Sequence, residues 1–152
     1  MSMSNEVTPC CATGDACLHG GLFVLRVGIG ILFMVHGIPK LMGGVANWEA
    51  LGGAMGVMGI HFAPAFWGFM AALSEGLGGL CLVLGLFVRP FAALMAFTMI
   101  VATLMLVQSG AGFAMFSNPL HMAVVFSALT ITGAGRCGLG KKIPGLRQHW
   151  FC

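Results

Sequence analysis

The sequence predicts an all-α fold: a four-transmembrane-helix antiparallel bundle with an interfacial segment between helices 1 and 2. Three observations predict it. Hydrophobic residues make up 59% of the 152 and charged residues only 7%, where a soluble domain carries roughly 25% charged. Four apolar segments follow one another along the chain, each close to the ~20 residues that cross a bilayer core. A Val88-Arg89-Pro90 junction separates the second from the third, and a break that short forces an antiparallel hairpin.

Residues 1–20 are small and polar and include Cys10, Cys11 and Cys17. No basic stretch precedes an apolar core, so the segment reads as a flexible tail rather than a cleaved leader. The first span is expected at 22–41. Residues 42–62 hold Asn47, Trp48, Glu49 and six glycines, too polar and too broken to cross. They read as an interfacial element with Trp48 as its anchor. The second span is expected at 63–88, the third at 91–107 and the shorter fourth at 119–133. Residues 136–152 form a basic, polar tail. The membrane domain is therefore placed at 21–135, flanked by the two tails. The 24 glycines suit helices that pack closely in lipid, where small residues let backbones approach.

An even number of spans puts both termini on one side. That side carries Arg89, Arg136, Lys141, Lys142 and Arg147, against Lys40 and Glu49 opposite. The positive-inside rule places both termini in the cytoplasm of a bacterial-type inner (plasma) membrane, where the tail cysteines are expected as thiols. The formal charge of +3 is too small, and its residues too close to span ends, for a nucleic-acid surface. The partners expected are the lipid bilayer, a protein partner in a redox complex and a second copy of the chain.

Glu75 lies well inside the second span. A charge at bilayer depth costs at least ~2.5–3.5 kcal/mol on insertion scales and calls for a partner. At ~1.5 Å of rise per residue, Glu75 lies ~18 Å in from the outer end of its helix, His36 ~8 Å and His121 ~4 Å. Lys40 shares a helix face with His36 by i,i+4 spacing. Depth makes His36 the nearest candidate partner of Glu75, with Arg26 reaching from the cytoplasmic side and Lys40 and His121 from the outer side. Arg26 and Arg89 also fit headgroup anchors. Glu75-Gly-Leu-Gly-Gly79 would let a helix or a flat ligand approach the backbone.

Cys10-Cys11-x5-Cys17-x-His19 is a candidate soft-metal cluster, since thiolate and imidazole select copper(I) or zinc. Its spacing matches no standard zinc pattern, and free thiols on a tail read equally well. No phosphate loop, hydrolase elbow, zincin motif or haem-attachment motif occurs.

Three segments resemble motifs of the DoxX family. They are Arg26-x3-Gly30-x2-Phe33-x3-Gly37-x2-Lys40-Leu41, Glu75-x3-Gly79-x5-Gly85-x3-Arg89-Pro90, and the closing Leu129-Thr-Ile-Thr-Gly133-Ala-Gly135. The family typically closes on Ser-Leu-Asp, where this chain has Cys137-Gly-Leu-Gly140. The resemblance implies a four-helix inner-membrane protein. It also implies redox partnership, since some relatives are linked to quinone-coupled sulfur oxidation and others to thiol-oxidative stress.

The function expected is a redox-linked membrane subunit binding a quinone or similar apolar ligand near Glu75 and His36, which supply and accept protons. Lys40, His121, Arg26 and Arg89 are the expected ligand-binding residues, with Phe33 and Trp67 as ring contacts. The alternative is a non-enzymatic membrane anchor or assembly partner of a redox or copper-handling complex, with Cys10, Cys11, Cys17 and His19 as the metal ligands.

Overall fold

The computed structural model describes residues 10–135 and 138, and side chains from Cys17 onward. Five α-helices and one 3-10 helix make up the described chain: α1 (Cys10–Met42), α2 (Gly44–Gly52), the 3-10 helix (Gly53–Met58), α3 (Pro64–Leu84), α4 (Val88–Gln108) and α5 (Phe113–Thr132). Four helices are long and apolar enough to cross a membrane: Cys17–Met42, α3, α4 and α5. The protein is thus a multi-pass membrane protein of all-α class.

The helix boundaries follow from local chemistry. Pro64 opens α3 at a position where its missing N–H costs nothing. Gly85 ends α3 in the left-handed conformation at φ 71°, which glycine adopts without a Cβ clash. Phe87 and Val88 restart the chain as α4, and Pro90 falls in the first turn of that helix rather than between helices. The expected hairpin is therefore tighter than the sequence suggests. α5 begins at Phe113 and carries Pro119 inside it, so the fourth span is longer than its apolar core.

α1 lies along α3, α3 on α4, and α4 on α5. The buried core is Leu82, Ala92, Met95, Ala96, Met99, Ala123, Phe126 and Leu129, with Phe33 and Ile29 of α1 packed onto it. Small residues permit the α1–α3 contact. A Cβ at Gly37 would collide with the backbone of Glu75 and Gly76. Where lipid surrounds the bundle, such backbone-to-backbone packing takes over the role that apolar burial has in water. Many large apolar side chains, Val24, Leu32, Val35, Val124 and Ile131 among them, stay exposed, as lipid-facing surfaces require.

The segment expected to lie at the interface is more ordered than its polarity implies. α2 packs along the first turns of α3, with Gly52 against Pro64 and Gly68 against Trp48 so closely that a Cβ at either glycine would strike backbone. Glycines that look like helix breakers in sequence here serve a close helix crossing.

α1 itself begins at Cys10, upstream of the expected span, so residues 10–20 of the expected tail continue its helix. Residues 136–152, the other expected tail, lie outside the described residues apart from Gly138.

Candidate functional site

Lys40 stands in the last turn of α1, one residue after Pro39. Its carbonyl accepts hydrogen bonds from Asn47 Nδ2 at 3.0 Å and Trp48 Nε1 at 3.1 Å. Two side chains of α2 thus cap the end of α1, where carbonyls lack helical partners. That cap holds Lys40 beside α3, and its ammonium reaches Glu75 Oε2 at 2.6 Å.

The buried carboxylate therefore has a partner, but not the expected one. Depth counting favours His36 only for an α1 that runs to the membrane surface. Instead α1 ends opposite the middle of α3, and α2 fills the remaining outer half. Lys40, expected near the surface, is the residue that arrives at the level of Glu75. His36 is one turn away, and its Nδ1 donates to Leu32 O at 2.8 Å.

The two members of the pair are unequally accessible. The Glu75 side chain is 5% exposed and that of Lys40 36%. A molecule approaching the pair meets the ammonium first. Lys40 is thus the hydrogen-bond donor of the site, and Glu75 the carboxylate that holds it.

Two cavities share Lys40 and Glu75. The larger, about 470 Å³, lies between α2, the 3-10 helix, α3 and α4. Met55, Phe66, Trp67, Met70, Ala71, Phe97, Thr98 and Val101 are among its walls, and among the described residues Lys40 and Glu75 are the only charged ones on them. Apolar walls with a few polar groups at one end are the usual form of a small-molecule site, which spans roughly 300–1,000 Å³. The smaller, about 360 Å³, is a groove between α1 and α5 lined by Leu32, Phe33, His36, Met99, Asn118, Pro119 and Met122. Phe33 of this wall packs edge-to-face on the buried Phe126, with centroids 4.8 Å apart.

Ser74, next to Glu75, lies 3.2 Å from Thr98 across the α3–α4 contact and donates to Ala71 O at 2.8 Å. Its hydroxyl ties the turn that carries Glu75 to α4. Trp67 Nε1 is buried with no hydrogen-bond partner among the described residues, and its ring stacks edge-on with Phe62 and Phe66.

The other candidates lie elsewhere. Arg26 is 1% exposed and donates to Ala134 O at 2.6 Å. Arg89 Nη2 donates to Ile131 O at 3.1 Å. Both guanidinium groups thus serve carbonyls at the C-terminal end of α5, where the helix dipole favours cations. Neither lines either cavity, and Arg26 does not reach Glu75 from below. His121 is exposed on α5. Cys17 has an exposed thiol, and His19 is half-buried near Gly135. Among the described residues no three His, Cys, Asp or Glu side chains come together as a metal site, and the side chains of Cys10 and Cys11 lie outside the described residues.

Trp67, expected as a ring contact, does line the cavity with Lys40, whereas the sequence gives no sign that Asn47, Trp48, Met55 and Thr98 gather about Lys40. Trp48 carried a signal, since a tryptophan next to a span suggests an anchor; that it anchors to a helix end rather than to lipid needed the tertiary contact.

Comparison with known proteins gives two kinds of match. The DoxX family model matches residues 21–108, which take in α2, α3 and α4 and all but the first turns of α1. A Bacillus subtilis protein named "Putative oxidoreductase CatD" is 32% identical over 112 residues, 72% of this chain and 78% of that protein. An uncharacterized protein of Haemophilus influenzae is 29% identical over 127 residues, 80% of this chain and 89% of that protein. No solved structure matches.

Proposed function

The chain belongs to the DoxX family, and on that footing we propose that it is the quinone-binding membrane subunit of an oxidoreductase, with the Lys40–Glu75 pair at the ligand's polar head. The larger cavity carries this reading: about 470 Å³ of apolar wall with a single ion pair. A ligand fitting it is apolar and neutral, since the pair contributes no net charge, and brings a hydrogen-bond acceptor for the Lys40 ammonium. A quinone meets all three requirements. The Bacillus relative's name supports redox chemistry.

Reduction of a quinone to a quinol takes up two electrons and two protons. Oxidation of a dithiol to a disulfide releases the same number of each, so a dithiol on a partner protein is one donor that would balance the reaction. Lys40 donates a hydrogen bond to one ring oxygen and stabilises negative charge developing there. Glu75 fixes the ammonium and exchanges protons with it. On this reading the protein lies in a bacterial-type inner membrane with both termini cytoplasmic, and the positive-inside rule then puts the α3–α4 turn and Arg89 on that same side.

The test uses the full chain in nanodiscs with decylubiquinone as the probe. Binding should quench tryptophan fluorescence saturably, because Trp67 is in the cavity wall. Lys40→Met should raise the Kd about tenfold, the worth of one hydrogen bond to a charged group. Ala102→Phe, which fills the cavity from α4, should abolish quenching. Binding unchanged in both variants would exclude this cavity as the site.

A further inference from the structure

We propose that the larger cavity takes its ligand sideways from the bilayer, through a mouth beside Phe97 of α4. The ligand is then a long-chain amphiphile, with its head at Lys40 and its chain left in the lipid. This deepens the quinone reading and rests on it. It names quinones dissolved in the membrane by a long apolar chain, rather than short ones that arrive from water.

The mouth follows from the cavity residues that also face outward. Phe97 lines the cavity and is 40% exposed. Along α4 it belongs to a row of exposed residues with Ala93, Ile100 and Leu104, at the three- and four-residue spacing of one helix face. On a helix that crosses a membrane, such a row faces lipid. Phe97 therefore stands at an edge, between lipid on one side and the cavity on the other. Met105 also lines the cavity and is 45% exposed. Val101, between them on the same wall, is buried. The cavity is thus open along the edge of α4 rather than sealed.

Depth decides what lies outside the mouth. Phe97 is midway along α4, and Glu75 is midway along α3. Both helices are long and apolar enough to cross the membrane, so their midpoints fall near the centre of a hydrocarbon core ~30 Å thick. An opening at that depth admits what dissolves in lipid and not what dissolves in water. The end of the cavity nearest the close of α4 is roofed. There the 3-10 helix packs on α4, Gln108 Nε2 donates to Val57 O at 3.4 Å, and Met55 beneath is buried.

A chain that stays in lipid gains no hydrophobic energy on binding, because the hydrocarbon around it is as apolar as the protein wall. Affinity then comes from the head at Lys40 and is indifferent to chain length. A site without the mouth would behave otherwise. A cavity of about 470 Å³ cannot enclose a quinone ring together with a chain of eight isoprene units.

The experiment uses the full chain in nanodiscs with two probes, decylubiquinone and a ubiquinone carrying eight isoprene units. Both should quench tryptophan fluorescence saturably, with Kd values, expressed as mole fraction in lipid, within about threefold of each other. Ala102→Phe should abolish both signals. Replacing Phe97 by the photo-crosslinker benzoylphenylalanine should yield an adduct with the long-chain probe that excess decylubiquinone suppresses. The same replacement at Met58, exposed on the 3-10 helix, should yield none. Saturable binding of decylubiquinone without binding of the long-chain probe would overturn the mouth alone. So would a long-chain adduct at position 58 with none at 97. Failure of the wild type to bind decylubiquinone would overturn the ligand reading and the mouth with it.

Discussion

At the residue scale, the unequal burial of Lys40 and Glu75 sets what their substitutions do. Removing Lys40 leaves a carboxylate at 5% exposure without its cation. Breaking a fully buried pair this way costs ~3–5 kcal/mol, and the 36% exposure of Lys40 lowers that to about 1–3 kcal/mol. Glu75→Gln removes the charge that needed compensation and leaves an ammonium partly open to the cavities, so it should cost less. Thermal unfolding in detergent should rank Glu75→Gln above Lys40→Met in Tm, and Lys40→Met/Glu75→Leu above Lys40→Met alone. The opposite ranking would mean that the pair is solvated in the folded protein. The importance of Glu75 was legible in the sequence because a carboxylate deep in an apolar helix is costly wherever the helix packs. That Lys40 rather than His36 pairs with it was not legible, because that depends on where α1 stops.

At the scale of elements, the end of α1 decides the site. Pro39 weakens the last turn, and Gly44 at φ 75° lets the chain turn into α2. Asn47 and Trp48 then cap Lys40 O. Without α2 along the outer half of α3, Lys40 would lie near the surface, as its place in the sequence suggests. The crossing depends on Gly52 and Gly68. Gly68→Val should push α2 away, and overpacking of this kind costs about 1–3 kcal/mol. Because α2 also forms one wall of the larger cavity, the same variant should lose saturable decylubiquinone quenching, whereas Gly28→Ala on α1, with open space around its Cα, should keep it. Retained binding in Gly68→Val would show that α2 does not shape the cavity. The four spans themselves were readable from apolar length. The close crossing of α2 on α3 was not, because its glycines pack against a neighbour that local sequence does not reveal.

At the scale of the molecule, the bundle has one end locked and the other hollow. Arg26 and Arg89 tie α1 and α4 to carbonyls at the end of α5, while the cavities lie toward the opposite end, around Lys40. A membrane protein that binds an apolar ligand gains from such polarity, since one end keeps its shape while the other admits a molecule. On the proposed topology the locked end faces the cytoplasm. Cysteine-labelling with an impermeant maleimide tests this: a cysteine at Gly112 on a cysteine-free background should react from outside intact cells, and the natural Cys17 on its own only after permeabilisation. Labelling of Cys17 in intact cells would reverse the topology and move the cavities to the cytoplasmic half.

The sequence by itself determined the membrane class, the four spans, the family motifs and the buried carboxylate that needs a partner. Each follows from composition, apolar length or the cost of burying charge, and those quantities are local. Tertiary structure decided the rest. It paired Glu75 with Lys40 instead of His36, sent both arginines to the end of α5, and divided the space around the pair into an apolar cavity and a groove. These outcomes depend on how far one helix runs past another. That distance is fixed by backbone contacts at Gly37, Gly52 and Gly68, which local sequence marks only as glycine.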